Sequence, residues 1–298
     1  MRGLLNSGPM LMLVTSLFWS TNSVVGRGVH DIVPPVGLAF WRWAVTLPIF
    51  AAMAWPYLRR DWPALKDRWG WLLFLSALGI AAYNAIIYFA LHYTTAINMV
   101  LINAQRPIII VALSYGLYRT KVGTIQIVGL VLGFLGTLVV MSRGEWQVLR
   151  DFEFNSGDLW IFVGTVIWAV YTVFLPKRPA IHPTSFMFYL VAIGTLVLLP
   201  FYLWEDVARG PVPLNFDAVG AILFLAIFSS VIGHMGYNRL VDLRGANVAG
   251  VTSYLVMAFG VVLAIVFLGE AFHLYHAAGL ALLVVGSYLA SRKEKTAL

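Results

Sequence analysis

The sequence predicts an all-α membrane protein of ten transmembrane helices arranged as two inverted five-helix repeats. Three observations lead there. Of the 298 residues, 60% are apolar and only 11% charged, against about a quarter charged in ordinary globular chains. The apolar residues fall into ten runs near the ~20 residues a helix needs to cross ~30 Å of hydrocarbon. The pattern of the first half returns about 150 residues later in the second.

The ten runs are 8–26, 36–57, 70–91, 95–118, 123–141, 158–175, 184–204, 217–238, 246–268 and 274–291. Only helices and closed barrels satisfy their backbone in lipid, and continuous apolar runs exclude the alternation of a barrel. Met1 to Asn6 carries one Arg, and the first apolar run continues to span length, so no cleaved leader is expected.

The loops orient the bundle. With the N-terminus inside, fourteen of the Lys and Arg residues fall on the inner side, four on the outer side, and Arg42 and Arg106 within spans. The positive-inside rule therefore places both termini in the cytoplasm of a plasma (inner) membrane protein. The basic residues sit in short loops and form no continuous patch, so nucleic acid is not an expected partner. The expected partners are membrane lipids and a small-molecule substrate. With no cysteine in the chain, disulfides, thiolate catalysis and Cys-based metal sites are excluded, and no cofactor is expected.

The repeat is read from several identities in one register. Ser16-Leu-Phe-Trp19 resembles Thr165-Val-Ile-Trp168, and Gly70-x-x-Leu-Phe-Leu75 matches Gly220-x-x-Leu-Phe-Leu225. Ala96 pairs with Ala246, Gly129 with Gly279 and Gly136 with Gly286. The units are 1–145 and 146–298. Five is odd, so the second unit must lie upside down. Charge agrees: loop 57–69 has four basic residues and its counterpart 205–216 has one, whereas loop 92–95 has none and its counterpart 239–245 has two. Inverted repeats are a signature of secondary transporters, with the site near the midplane between them.

The chain resembles the EamA-type branch of the drug/metabolite transporter superfamily. The resemblance rests on Phe18-Trp19, on Pro34-Pro35 followed by Phe40-Trp-Arg42, and on Ala90-Leu-x-Tyr93-Thr-Thr-Ala96-x-Asn98 with Pro107. Leu268-Gly-Glu270 and the Gly279…Gly286 helix complete it. It implies ten helices, an inverted repeat and export of small metabolites such as amino acids. Two departures stand out. Tyr118-Arg119-Thr120 occupies the repeat position of Leu-Gly-Glu, and Gln105-Arg106 puts polar groups just before the span-four proline.

Polar residues within spans face a cavity or another helix, because lipid offers them nothing. Trp19 and Asn22 share a helix face, and Trp168 and Tyr171 occupy the corresponding face of the repeat. Span three carries Tyr83, Asn84 and Tyr88; span eight carries His234, Tyr237 and Asn238 at the equivalent positions. Interhelical hydrogen bonding is the alternative reading for these stripes. Span four carries Asn98, Asn103 and Arg106 before Pro107, which removes a backbone donor and predicts a kink beside the site. Arg106 reads as a clamp for a carboxylate or other anion, or as a charge satisfied by carbonyls and polar side chains. Ser253 is a smaller contributor from span nine. Arg42 reads as a structural anchor, with Glu270 or Asp31 as candidate partner.

All 13 Asp and Glu residues fall in loops or span ends, which argues against a carboxylate proton relay and for facilitated diffusion or exchange; His234 leaves a histidine relay open. His273 and His276 have metal-ligand spacing but no third ligand nearby. Gly129-x-x-x-Gly133 is a close-packing stripe, for a neighbouring helix or for a homodimer, although a monomer suffices. The function expected is therefore a secondary transporter of small metabolites working by alternating access. The alternative is an intramembrane enzyme acting on a lipid-soluble substrate. The chain lacks His-Glu-x-x-His, Gly-x-Ser-x-Gly and a Gly-Lys-Ser/Thr phosphate loop.

Overall fold

The computed structural model describes residues 7–29, 31–90, 93–94, 96–151, 155–268 and 271–292. Among them the chain is helical throughout, with no strand. The first half runs α1 (Gly8–Gly28), α2 (Pro35–Lys66), α3 (Trp69–Ser76), a π-helical segment Ala77–Ala82, α4 (Tyr83–Ala90), α5 (Ala96–Asn103), α6 (Arg106–Tyr118) and α7 (Thr124–Met141). After the short α8 (Trp146–Arg150) come α9 (Ser156–Phe174), α10 (Pro183–Arg209), α11 (Phe216–Phe224), a second π-helical segment Leu225–Gly233, α12 (His234–Arg244), α13 (Ala246–Gly250), α14 (Thr252–Leu268) and α15 (Leu274–Ala290).

Helices occupy each of the ten apolar runs. Among the described residues seven are long and apolar enough to cross a membrane: Pro35–Lys66, Trp69–Ile87, Thr124–Met141, Ser156–Lys177, Pro183–Arg209, Phe216–Arg244 and Ala246–Phe267. The shortfall from ten has local causes. Span four is broken between Asn103 and Arg106, which leaves Arg106–Tyr118 as a short apolar helix, and Leu274–Ala290 is also short. Helix α1 has the length, but Thr15, Ser16, Ser20, Thr21 and Asn22 dilute its apolarity. The bundle's outside is apolar, with Trp55, Leu196, Val266 and Phe267 exposed, as a lipid-facing surface requires.

The packing pairs come in matched sets. Helix α1 packs on α14, α12 and the second π segment, all from the other half; α9 packs on α6, α4 and the first π segment. Each half therefore receives the first helix of the other. Two pairs join counterparts directly, α2 with α10 and α7 with α15, and both run antiparallel. The start of α7 meets the end of α15: a Cβ added to Gly129 would lie 2.2 Å from the Ala290 amide nitrogen, and one on Gly286 2.4 Å from that of Gly133. The glycine stripe is thus spent inside the chain, on backbone-to-backbone approach.

The α2–α10 pair is fastened at both ends. Asp61, near the end of α2, accepts the backbone N–H of His182 at the N-cap of α10 at 3.0 Å. Glu205, near the end of α10, accepts the N–H of Gly37 in the first turn of α2 at 2.7 Å. Each carboxylate also meets the positive end of its partner helix. A ring stack stands near each latch: Tyr57 on His182 at 3.6 Å and Phe40 on Tyr202 at 4.4 Å. These acids lie at span ends, as the sequence indicates, yet both are buried.

Two outcomes follow for thermal unfolding in detergent. Gly286→Ala lowers the midpoint by on the order of 5 °C, because its Cβ meets backbone, whereas Gly260→Ala, with open space around it, leaves it unchanged or raised. Glu205→Ala and Asp61→Ala each cost about 1–3 kcal/mol through a buried N–H left without its acceptor; an unchanged melt in either variant would remove that latch.

Candidate functional site

The first helix of each half delivers aromatic rings to the centre. Trp19 of α1 and Trp168 of α9 meet edge-to-face at 5.4 Å, a favoured aromatic geometry. Trp19 also contacts His234 at 5.4 Å and Tyr237 at 4.9 Å. Trp168 contacts Tyr83 at 4.9 Å, Tyr171 at 5.3 Å, His234 at 5.7 Å and Tyr237 at 5.6 Å. Two glycines of the π segments admit these rings: a Cβ on Gly79 would lie 2.6 Å from the Tyr171 ring, and one on Gly233 2.5 Å from Trp19 Nε1. π-Helical turns concentrate at functional sites, and here they lead directly into Tyr83-Asn84 and into His234.

Two guanidinium groups close on the cluster by way of adjacent residues of α4. Arg42 donates to Asn84 Oδ1 at 3.2 Å and to Asn22 Oδ1 at 3.4 Å, and lies over Trp43 at 4.9 Å. Arg106 donates to Tyr83 OH at 2.8 Å and to Asn103 Oδ1 at 2.6 Å. It also lies over Tyr83 at 5.3 Å and Trp168 at 5.7 Å, within cation–π range. Asn84 is oriented by donating to Ile80 O at 2.6 Å, inside the first π segment. Thr165, one turn before Trp168, donates to Asn103 Oδ1 at 3.0 Å.

The break in span four builds the Arg106 position. Pro107 has no N–H and sits in the first turn of α6, so the helix cannot run through from α5. Asn103 closes α5, Arg106 opens α6, and the two side chains bond across the gap. The equivalent stretch of the second half is interrupted at Val251, between α13 and α14.

Ten of the residues expected at the site therefore gather in it or at its edge: Trp19, Asn22, Tyr83, Asn84, Asn103, Arg106, Trp168, Tyr171, His234 and Tyr237. Asn238 belongs to the same wall, accepting from Tyr171 OH at 3.0 Å and donating to Met187 Sδ at 3.1 Å. Asn98 goes elsewhere. It donates to Asp158 Oδ2 at 2.9 Å at the start of α9, where Thr94 also bonds the same carboxylate. Ser253 is half-buried in the first turn of α14, outside this hydrogen-bonded network. The side chain of Tyr88 and all of Glu270 lie outside the described residues.

The sequence reading passed over Trp43, Thr165 and, as a site member, Arg42. Trp43 is fully buried and its ring meets His234 at 4.8 Å. Its signal was the Trp41-Arg42-Trp43 run. That of Thr165 was its place one turn from Trp168. Neither ring nitrogen of His234 has a partner in hydrogen-bonding geometry. Among the described residues no three His, Cys, Asp or Glu side chains are grouped to hold a metal. His276 Nδ1 accepts from the His273 N–H at 3.1 Å, so this pair caps α15. A groove of about 370 Å³, lined by Val25, Val29, Phe216 and Phe224 among others, is largely apolar.

Comparisons with known proteins agree on one family. The model of the EamA-like transporter family matches residues 6–142 and again 155–292. An uncharacterized transporter of Archaeoglobus fulgidus is 31% identical over 290 residues, covering 96% of this chain and 97% of the relative. The uncharacterized transporter YyaM of Bacillus subtilis is 26% identical over 221 residues, 73% of this chain and 71% of that one. A solved crystal structure superposes with a TM-score of 0.76 at 20% identity, covering 95% and 96% of the two chains; at that identity the likeness concerns the fold. With the family model matched over most of the chain, this protein belongs to the EamA-like transporter family.

Proposed function

We propose that the protein is a secondary transporter that moves small metabolites, amino acids or their relatives, across the plasma (inner) membrane by alternating access. In this reading ten spans form two inverted units, 1–145 and 146–298, with both termini cytoplasmic. The antiparallel counterpart pairs and the exchange of first helices support it, because a two-fold axis in the membrane plane generates both. One observation carries it: Trp19 from one half and Trp168 from the other meet at 5.4 Å, flanked by Arg42 and Arg106. A solute bound there touches both halves and couples binding to their rocking.

The same geometry favours exchange over one-way flux. Arg106 is 9% exposed and carries its charge at mid-span. Closing the empty site over Arg106 leaves a buried charge with only neutral partners among the described residues, whereas an anionic solute neutralises it. An enzyme reading has less behind it. Ser229 contributes its carbonyl to Trp19 at 3.2 Å, and among the described residues no carboxylate or imidazole is bonded to its hydroxyl.

Counterflow of labelled metabolites in proteoliposomes tests the proposal. Flux is expected without a proton gradient, and Trp168→Ala and Asn84→Ala lower it about tenfold, the loss that about 1.4 kcal/mol of binding represents. Strict gradient dependence would return the mechanism to His234. Absence of flux across the whole panel would refute transport of this class.

A further inference from the structure

We infer that the solute taken at this site is an organic carboxylate without an adjacent ammonium group, such as a 2-oxo, 2-hydroxy or aromatic acid, held by Arg106. This rests on the reading above that the protein transports small metabolites, and within it replaces amino acids by their relatives that lack the ammonium group. Arg106 is more than nine-tenths buried, yet among the described residues every partner it has is neutral. Its Nη2 serves both Tyr83 OH and Asn103 Oδ1, while Nε has no acceptor. Guanidinium carries five N–H donors in a planar fork that matches a carboxylate two-to-two. Most of that fork is unspent here. A buried charge normally brings a counterion, since removing it from water is costly. The described ion pairs are Arg60–Asp61 and Arg178–Asp242, both elsewhere. Arg106 also opens α6, so the positive end of that thirteen-residue helix adds to its field.

The surroundings argue equally against a zwitterion. An α-ammonium lies only a few ångströms from its own carboxylate, and so would face the guanidinium that holds it, at a distance where like charges repel in a low dielectric. The described carboxylate nearest along α9, Asp158, is engaged by Thr94, Asn98 and the Asn155 N–H. The aromatic faces of Tyr83 and Trp168, which would otherwise attract a cation, are already covered by Arg106 itself. The indole edges and rings that remain suit the apolar or planar part of an acid.

The test uses purified full-length protein and matched probes: phenylalanine, phenyllactate and phenylpyruvate, which differ only at the α-carbon, with pyruvate and benzoate for size. Binding is read by tryptophan fluorescence and thermal stabilisation in detergent, and flux by counterflow in proteoliposomes. At least one oxo or hydroxy acid is expected to bind and exchange at least tenfold better than the amino acid. Asn103→Asp places a carboxylate on the atom already 2.6 Å from Nη2. It is expected to abolish acid binding while leaving the melting temperature unchanged or higher. Arg106→Lys retains part of the binding and Arg106→Gln none. Amino acids binding as well as the acids, no probe acid binding, or Asn103→Asp leaving acid binding intact would each overturn the inference. Acid binding with no flux would keep the anion site and instead defeat the transport reading.

Discussion

Hydrocarbon offers no hydrogen bonds, so a polar group near the middle of this bundle depends on the protein for its partner. The arrangement around Arg42 and Arg106 follows from that constraint. Each guanidinium is held by amide or phenol oxygens and lies over aromatic faces. Those oxygens are themselves fixed, Asn84 by the Ile80 carbonyl and Asn103 by Thr165. Among the described residues the hydrogen-bond partners of Arg106 are neutral, and they solvate its charge without cancelling it at a centre walled by rings.

Such a centre demands irregular helices. An unbroken α-helix through span four would bond the Asn103 carbonyl to the residue-107 N–H. Pro107 has no such N–H, the helix breaks there, and Arg106 bonds Asn103 across the gap. The π-helical segments do comparable work in spans three and eight. Their glycines let Tyr171 and Trp19 approach closely, and the residues that follow them form the cluster. Regular, glycine-lined packing is reserved for the periphery, where α7 and α15 touch backbone to backbone and nothing polar has to be presented.

The exchanged first helices place this chemistry between the two halves of the chain. Because α1 packs into the second half and α9 into the first, the Trp19–Trp168 contact lies between bodies that each contain parts of both sequence halves. The α2–α10 pair, latched by Asp61 at one end and Glu205 at the other, ties the halves together at both of its ends.

Much of this was legible before any fold was known. Composition and run length determined a helical membrane protein, because only the bilayer accommodates so much apolar surface. The 150-residue register set Trp19 against Trp168 and Asn84 against His234, and Pro107 marked the break, because steric and backbone rules act locally. What no local rule contains is which polar groups meet. Asn98 reads as a site residue by depth and periodicity, yet it turns to Asp158. Arg42 reads as an anchor of span two, and the residue it reaches on another helix, Asn84, could not be read from local pattern. Asp61, Asp158 and Glu205 read as span-end acids, yet all are buried. Their partners lie 60 to 168 positions away in the chain, and the rotation of each helix about its axis, set by glycine contacts and π turns, decides which side chain faces which. The sequence determined the solvent, the repeat and the kink; the tertiary structure alone decided the pairing of charges, because pairing depends on helix rotation that packing sets.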